Sequence, residues 1–333
     1  MSVEIDTFDE ADAEEWDHIV RRADNGTVFH EYEMLRAMER HSSSSLHALV
    51  GYKGQEAVGV LPVYEIRKGG VGTAFSPPPR LGIPYLGPLH ICDQPLKQRK
   101  LERRKRRFVE GCLEWIDAEI GSRYYHLVTV VDYDDPRPFT WNEYDVTPYH
   151  TYTIDIDRPE SDLLDSFSRD LRSSIRSDEG RCRIEDRGEA GIEFIHEQVN
   201  SRYEAQDRTY TVPLEFLLEC YRTLPDGSVR AYVGEVDDEW VSGILVFEDD
   251  STVYYSEGGG KPDVDFPINE FLHWHIIQRA RANDVETYDL CGANTPRICG
   301  YKSKFNPDLR TNYEIEDGTL LLRAASSLYR RIR

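Results

Sequence analysis

The sequence predicts an α+β protein of two tandem domains, each a mixed, mostly antiparallel sheet flanked by helices. Three observations predict it. First, residues 47–64, HALVGYKGQEAVGVLPVY, and 230–247, RAYVGEVDDEWVSGILVF, share one pattern: a strand, a polar turn, then a strand with Gly ahead of an apolar run. Ala48, Val50 and Gly51 lie opposite Ala231, Val233 and Gly234 at an offset of 183, and Gly59, Val60 and Leu61 lie opposite Gly243, Ile244 and Leu245 at 184. A fixed offset marks a duplicated architecture. Second, the flanks repeat: a short strand and two helices precede each hairpin. Third, each hairpin is followed by a strand, a helix with apolar residues every four positions, and an apolar strand.

The elements follow in order. VEIDTF (3–8) and CRIEDRG (182–188) are short strands, each before a helix, the first with Trp16, Ile19 and Val20 on one side, the second with Ile192, Ile195 and Val199. FHEYEMLRAMERH (29–41) and PLEFLLECYRTL (213–224) are the second helices. Gly54 and Asp237-Asp238 supply turn chemistry for the hairpins. FSPPPRLGIPYLGP and TVYYSEGGG are the next strand regions. Helix 96–120 aligns Phe108, Cys112, Ile116 and Ile120; helix 268–282 aligns Ile268, Leu272, Ile276 and Ala280. YYHLVTVV (124–131) and ETYDLCG (286–292) read as buried strands, and terminal hairpins are expected at 139–156, around Thr147-Pro148, and at 310–322, around Asp317-Gly318. Residues 157–180 read as one connecting helix with Leu163, Leu164, Phe167, Leu171 and Ile175 as its apolar stripe. The expected boundaries are a first domain at 1–156, the connecting helix at 157–180 and a second domain, with the donor cleft, at 181–333.

Composition narrows the class. The 333 residues carry 61 Asp+Glu and a formal charge of −21, with 8 Lys against 32 Arg. Such a chain lacks the footprint of a general nucleic-acid binder. Its 20 Tyr, 12 Phe and 5 Trp are too many for a disordered acidic chain. No run approaches the ~18 apolar residues of a membrane span, and the acidic start, MSVEIDTFDEADAEEW, has no secretory h-region. Six cysteines without CxxC or zinc spacing read as thiols in a reducing compartment, and no metal is expected. A cytoplasmic protein is expected. Excess acid with scarce Lys resembles proteins of extreme halophiles, where a carboxylate coat keeps the surface hydrated, and this implies a halophilic archaeal source.

The order β-α-α-β-β-β-α-β-β-β, twice over, resembles that of the GNAT acyltransferases. TVFHEYEMLRAM (27–38), YLGPL (85–89), LRSSIRSDEGRCRIE (171–185) and YDLCGA with ICGYKSKFNPDL (288–309) together resemble the FemAB-type family, which places two GNAT-like domains in one chain. The resemblance implies an N-acyltransferase that moves an acetyl or aminoacyl group from a CoA thioester or other activated donor to an amine of a cell-envelope or sugar precursor. It leaves two alternatives: an aminoacyl-tRNA-dependent transferase of the peptidoglycan-bridge type, and a non-catalytic ligand-binding relative. No permanently bound cofactor is expected; acyl-CoA or aminoacyl-tRNA enters as co-substrate.

Acyl transfer needs a held donor, a base for the amine proton and stabilisation of the oxyanion. A GNAT-like sheet splays between its fourth and fifth strands, and in the second repeat this opening is expected between Tyr254, Tyr255 and Glu257 on one side and Tyr288 and Asp289 on the other. Glu257 and Asp289 are the candidate bases. Gly258-Gly259-Gly260 reads either as a phosphate-facing loop or as a turn, and the GNAT pyrophosphate signature is missing beyond it. Asn269 is a candidate helix cap or ligand contact. His273 is placed at the cleft and His275 in the core. The resemblance puts Lys302 at the family's aromatic-Lys position, as a cation near donor phosphate or the reacting carbonyl, so that Lys302→Ala is expected to lower kcat with little change in melting temperature. Tyr301 and Phe305 flank it, Phe305 reading chiefly as core. Tyr85 and Gly87 are carried over as donor or substrate contacts.

Arg172 and Arg176 share a helix face suited either to phosphate or to salt bridges with Asp170 and Glu179. RKLERRKRR (99–107) holds seven cations in nine residues. It reads either as a grip for tRNA or another phosphorylated ligand, or as pairing for the protein's own carboxylates. The partners expected are thus an amine acceptor and tRNA through 99–107, with the chain a monomer or homodimer.

Overall fold

The computed structural model describes residues 3–177, 182–261, 266–319 and 321–324. They form two compact units: the described residues up to Tyr149 together with those from Thr311 on, and His150–Arg310.

The first unit opens with β1 (Glu4–Phe8), α1 (Ala13–Val20) and α2 (Tyr32–Ser42). A long hairpin follows, β2 (Ser45–Lys53) with β3 (Glu56–Lys68), then β4 (Val71–Ser76) and the two-residue β5 (Leu89–His90) against β3. Helix α3 (Gln98–Trp115) precedes β6 (Ser122–Val128), and the short α4 (Arg137–Trp141) leads to β7 (Asp145–Asp155). In this sheet β1–β4 run antiparallel in sequence, and β4 meets β6 in parallel.

The second unit follows the same order. It begins with α5 (Glu160–Ser166) and α6 (Arg169–Arg176), then β8 (Cys182–Asp186), α7 (Gly188–Glu204) and α8 (Leu214–Thr223). The hairpin β9 (Val229–Val236) and β10 (Glu239–Glu248), strand β11 (Thr252–Gly260), α9 (Ile268–Ala282) and β12 (Thr287–Asp289) complete the repeat, followed by α10 (Pro296–Lys302). The last strand, β13 (Asp308–Gly318), pairs antiparallel with β6 through Glu314–Gly318, while residues 153–155 of β7 pair antiparallel with β12. Each sheet is therefore completed by the strand that ends the other repeat. The compact units depart here from boundaries drawn in sequence order, since 150–156 belong with the second unit and the described residues from 311 with the first.

The duplicated glycines sit beneath equivalent helices. A Cβ on Gly51 would lie 2.4 Å from Phe108 of α3, and one on Gly234 would lie 2.6 Å from Ile268 of α9. Only a bare backbone lets these helices seat on the sheet.

Several expectations are corrected. Among the described residues neither expected hairpin forms: Thr147-Pro148 lies inside β7, and Asp317-Gly318 ends β13, with 321–324 helical. Proline's φ suits extended backbone, so Pro148 need not turn the chain. In FSPPPRLGIPYLGP only Phe75 and Ser76 belong to β4, because the prolines supply no ladder donors. The connecting helix is two helices. Phe167 is extended (ψ 161°) and Ser168 caps α6 by accepting from the Leu171 N–H. Residues 178–180, assigned to the same helix, lie outside the described residues.

Candidate functional site

The site is built where two parallel strands part. β11 pairs with β12 only over Thr252–Tyr254 against Thr287–Asp289. β12 then ends, while β11 runs on to Gly260, paired with β10 and bulged between Tyr255 and Glu257. Residues 255–260 thus have a strand partner on one side only, among the described residues. Helix α9 starts just beyond, at Ile268, with Pro267 as N-cap and no side-chain cap; the Ile268 N–H donates to the Phe266 carbonyl and those of Glu270 and Phe271 to the Pro267 carbonyl.

The glycine run is strand, not loop. A Cβ on Gly259 would lie 2.9 Å from Gln198 Cβ and 3.0 Å from the Ile195 carbonyl of α7. Gly259 is pressed by α7, while a Cβ on Gly258 would meet the Tyr255 hydroxyl and one on Gly260 would lie 2.6 Å from Ser242 Oγ. Arg202 of α7 donates to the Gly258 carbonyl at 2.7 Å.

The exit from β12 is stapled from both sides. Asp289 is 1 % exposed, and its Oδ1 accepts from Thr151 Oγ1 and from the Cys291 N–H, each at 2.7 Å. Thr151 Oγ1 in turn accepts from the Gly292 N–H at 2.8 Å. Cys291 (φ 50°) and Gly292 (φ 98°) both take left-handed backbone, which turns three successive carbonyls toward one point. Lys302 occupies that point. Its Nζ donates to the carbonyls of Leu290, Cys291 and Gly292 at 2.6, 3.1 and 2.9 Å. An ammonium has three protons, and all three are engaged. Desolvation pulls its pKa below the ordinary lysine value. Burial pushes the Cys291 thiol up, so it stays protonated and is no nucleophile.

Aromatic side chains close the floor. His273 is 4 % exposed and shares a 2.8 Å hydrogen bond between Nδ1 and the Tyr288 hydroxyl. Tyr255 stacks on its ring at 5.5 Å and Phe305 meets it edge-on at 5.0 Å. Desolvation, then nearby Lys302, holds His273 down to about 3, so it is neutral at physiological pH. Lys302 Nζ lies 5.5 Å over the Tyr255 ring, and Lys304 Nζ lies 5.4 Å over the ring of Tyr301. Glu257 is half-buried on β11, beside Tyr210 and Tyr255. Burial first, then the Glu257 charge, raises both phenols.

Residues 165–303 match the family described as acetyltransferase (GNAT) domain. The chain has a tandem GNAT fold. Among solved structures, FemX superposes with a TM-score of 0.72 at 13% identity, over 93% of this chain and 96% of that one. The C-terminal domain of a putative lysylphosphatidylglycerol synthetase from Agrobacterium fabrum gives 0.57 at 13% identity, over 96% of each chain. A tandem GNAT protein from the clavulanic acid biosynthesis pathway gives 0.53 at 10%, over 94% and 97%. No curated protein matches the chain in sequence.

Within this GNAT fold the residues singled out from the sequence separate into groups. Tyr255, His273, Asp289, Tyr301, Lys302 and Phe305 come together, with Phe305 fully buried. Asn269 is no helix cap, because the helix starts one residue earlier; its Oδ1 accepts from Ser242 Oγ at 2.8 Å. His273 is buried, whereas His275 is half-buried against Tyr232 at 5.5 Å, the reverse of their expected places. Arg172 and Arg176 line a groove on α6.

Tyr85 and Gly87 belong to the first unit, where they fill the equivalent position. There β4 stays paired with β6 to its last residue, Ser76. Beyond it the Leu86 N–H donates to the Val128 carbonyl at 3.0 Å and the Gly87 N–H to Ser76 Oγ at 3.1 Å. Tyr85 is 2 % exposed, edge-on to Phe29 at 6.1 Å. His30 Nε2 reaches the Leu86 carbonyl at 2.8 Å and its Nδ1 reaches Thr27 Oγ1 at 2.9 Å. The 27–38 and 85–89 motifs are thus one packed unit.

The basic run opens α3, and half of it is paired. Arg104 bonds Glu56 at 2.8 Å, Lys105 pairs with Asp134, and Arg106 bonds Glu110 at 2.8 Å. Arg99, Lys100 and Arg103 are exposed and make no ion pair among the described residues. Those residues also contain no helix long and apolar enough to cross a membrane and no group of three metal-ligating side chains. Thr151 and Arg202 were missed from the sequence. Thr151 lies 138 positions from Asp289, and nothing local marks the pair.

Proposed function

We propose that the protein is an N-acyltransferase whose donor lies along residues 255–260 of β11, in the opening where β11 and β12 part. The observation that carries this reading is the parting of β11 and β12 after three paired residues. A strand edge with no second strand partner suits an extended amide-bearing donor. The amine nitrogen attacks the donor carbonyl, the bond to the leaving group breaks, and the amine proton passes to a base.

Glu257 is our choice of base. His273 is neutral, buried and already bonded to Tyr288. Asp289 is spent on the turn. Lys302 is proposed as a positioning residue, acting through the 290–292 backbone that it holds. Tyr255, Asn269 and Tyr301 are proposed to border the donor. The first unit, with its equivalent position occupied by 85–87, is proposed to serve the acceptor.

A CoA thioester is the leading donor, in line with the AcCoA named for the clavulanic acid pathway protein. An aminoacyl-tRNA donor is the second reading. It is favoured by the stretch between β11 and α9, KPDVDF, which has no pyrophosphate signature, and by likeness to a putative lysylphosphatidylglycerol synthetase. The acceptor is expected to be an amine of an envelope or sugar precursor. The test offers acyl-CoAs and charged tRNAs with a pool of amines and follows thiol release and label transfer. Donor-dependent amide formation that falls at least about 100-fold in Glu257→Gln supports the proposal. Tight donor binding without transfer would leave a non-catalytic relative of the fold.

A further inference from the structure

We propose that helix α6 carries the phosphate-binding site for the acyl donor, in a groove lined by Arg169, Arg172 and Arg176. This rests on the reading of the second unit as the donor-binding unit. The groove encloses about 500 Å³ and is lined, among the described residues, by these arginines with Ser173 and Ser177. That volume lies in the range of small-ligand sites. Residues 169, 172 and 176 follow the i, i+3, i+7 spacing, so three guanidinium groups fall on one stripe of the helix.

The stripe is pre-set. Arg172 donates to the Asp165 carbonyl and Arg176 to Asp165 Oδ1 at 3.0 Å, so one residue of α5 braces both side chains. Arg169 is exposed and makes no ion pair among the described residues. The helix itself is anchored. Leu171 and Ile175 are buried beneath it, and Phe167 is edge-on to Trp274 of α9 at 5.8 Å and to Phe305 at 5.4 Å. The Ser168 N–H donates to the Lys304 carbonyl at 2.8 Å. The groove is thereby tied to the same two segments, α9 and 301–305, that border the candidate donor site.

Charge gives the reason for a separate site. At the start of α9 the Ile268, Glu270 and Phe271 N–H groups already donate to the Phe266 and Pro267 carbonyls, and the charged side chain in that first turn is Glu270, paired with Lys304 at 3.6 Å. Lys261 pairs with Glu239 at 3.0 Å. On α6 three arginines stand against Asp165 and Asp170. Planar guanidinium forks match phosphate oxygens, and the two serines add hydroxyl donors. The shared ligand chemistry is phosphate: the phosphates of CoA, or the phosphodiesters at the acceptor end of a tRNA.

The experiment titrates the full chain with CoA by calorimetry and with deacylated tRNA by filter retention. It uses the wild type, the triple variant R169Q/R172Q/R176Q and D170N. Unfolding midpoints and circular dichroism verify that each variant is folded. The triple variant is expected to bind its ligand at least about tenfold more weakly, and D170N, which removes an opposing charge, to bind more tightly. If CoA is the source, only the CoA titration weakens. If RNA is the source, retention weakens and the salt slope becomes shallower by about 2. Wild-type binding of either ligand with no change in the folded triple variant would overturn the α6 site while leaving the donor reading intact. Absence of wild-type binding to both would sink the two together.

Discussion

Replacing Lys302 tests whether its ammonium is a brace or a ligand contact. In Lys302→Ala the carbonyls of Leu290, Cys291 and Gly292 lose the one cation they share. Leu290 is 1 % exposed while Cys291 and Gly292 are half-buried, and each unsatisfied buried acceptor costs about 1–3 kcal/mol. Taking about 1 kcal/mol for each gives about 3 kcal/mol, which for a unit of this size lowers the unfolding midpoint by roughly 6–12 °C. The expectation drawn from sequence, lost turnover with an unchanged midpoint, is therefore replaced by loss of both. Lys302→Met separates the contributions, since it keeps an aliphatic stem beside Tyr255 and removes only the charge and donors. The assays are calorimetric unfolding and steady-state transfer with the donor identified above. A midpoint within about 1 °C of wild type, together with a kcat loss above 100-fold, would refute the brace. The ammonium would then leave the carbonyls to reach the substrate.

Asp289→Asn keeps an Oδ1 acceptor for Thr151 and Cys291, so activity within a few-fold of wild type is expected; a loss as large as that of Glu257→Gln would restore Asp289 as the base. His30 and His273 are held down to about 4 and about 3 by burial. Each therefore contributes stability that is complete above the unfolded value of 6.5 and is lost as pH falls toward the folded one, about 1.4 kcal/mol per pH unit. Denaturant midpoints at pH 7 and pH 5 should differ less in His273→Gln than in wild type, and equal slopes would contradict its burial as a neutral group. The −21 charge predicts that stability rises between 0.1 and 1 M KCl, as the screening length shortens from about 10 to about 3 Å. A flat or falling midpoint would remove self-repulsion, and with it the reading of the acids as a salt-adapted coat.

The duplication was legible because it is written in backbone constraints. Gly51 and Gly234 recur because a helix lies on each, and the hairpin apolar runs recur because both faces of those strands are covered. The exchanged end strands were not legible, since a strand carries the same alternation whichever sheet edge receives it. The break at Phe167-Ser168 lay inside an unbroken apolar stripe. That stripe reports which side is buried, and it persists across two helices that pack on one core. Gly258–Gly260 read as a loop because glycine runs are flexible in isolation; here pairing with β10 removes that freedom. The site was half legible. Tyr255 and Asp289 were placed at the opening from strand order and the GNAT resemblance, and Lys302 from its position in the FemAB-type motif, but their surroundings depend on Thr151 and on three carbonyls, which no side-chain pattern reports.

The two repeats answer one structural problem in different ways. Where parallel strands end side by side, backbone N–H and C=O groups are left over and need partners. In the first unit the chain supplies them itself: Leu86 and Gly87 bond Val128 and Ser76, His30 secures the segment, and Gly87 (φ 54°) makes the close pass possible, since a Cβ there would lie 2.8 Å from Thr129 Cα. In the second unit the leftover groups are divided. Those at the exit of β12 are taken by Asp289, Thr151 and Lys302, while the edge of β11 at 255–260 keeps a strand partner on one side only. Filling that position in the first unit closes it to an extended ligand. Bracing only one wall of the other keeps its second wall available to an extended ligand without letting the turn collapse across it. On this argument the most constrained residues of the site, Asp289 and Lys302, hold the opening in place, and the proposed base, Glu257, stands on the wall across from them.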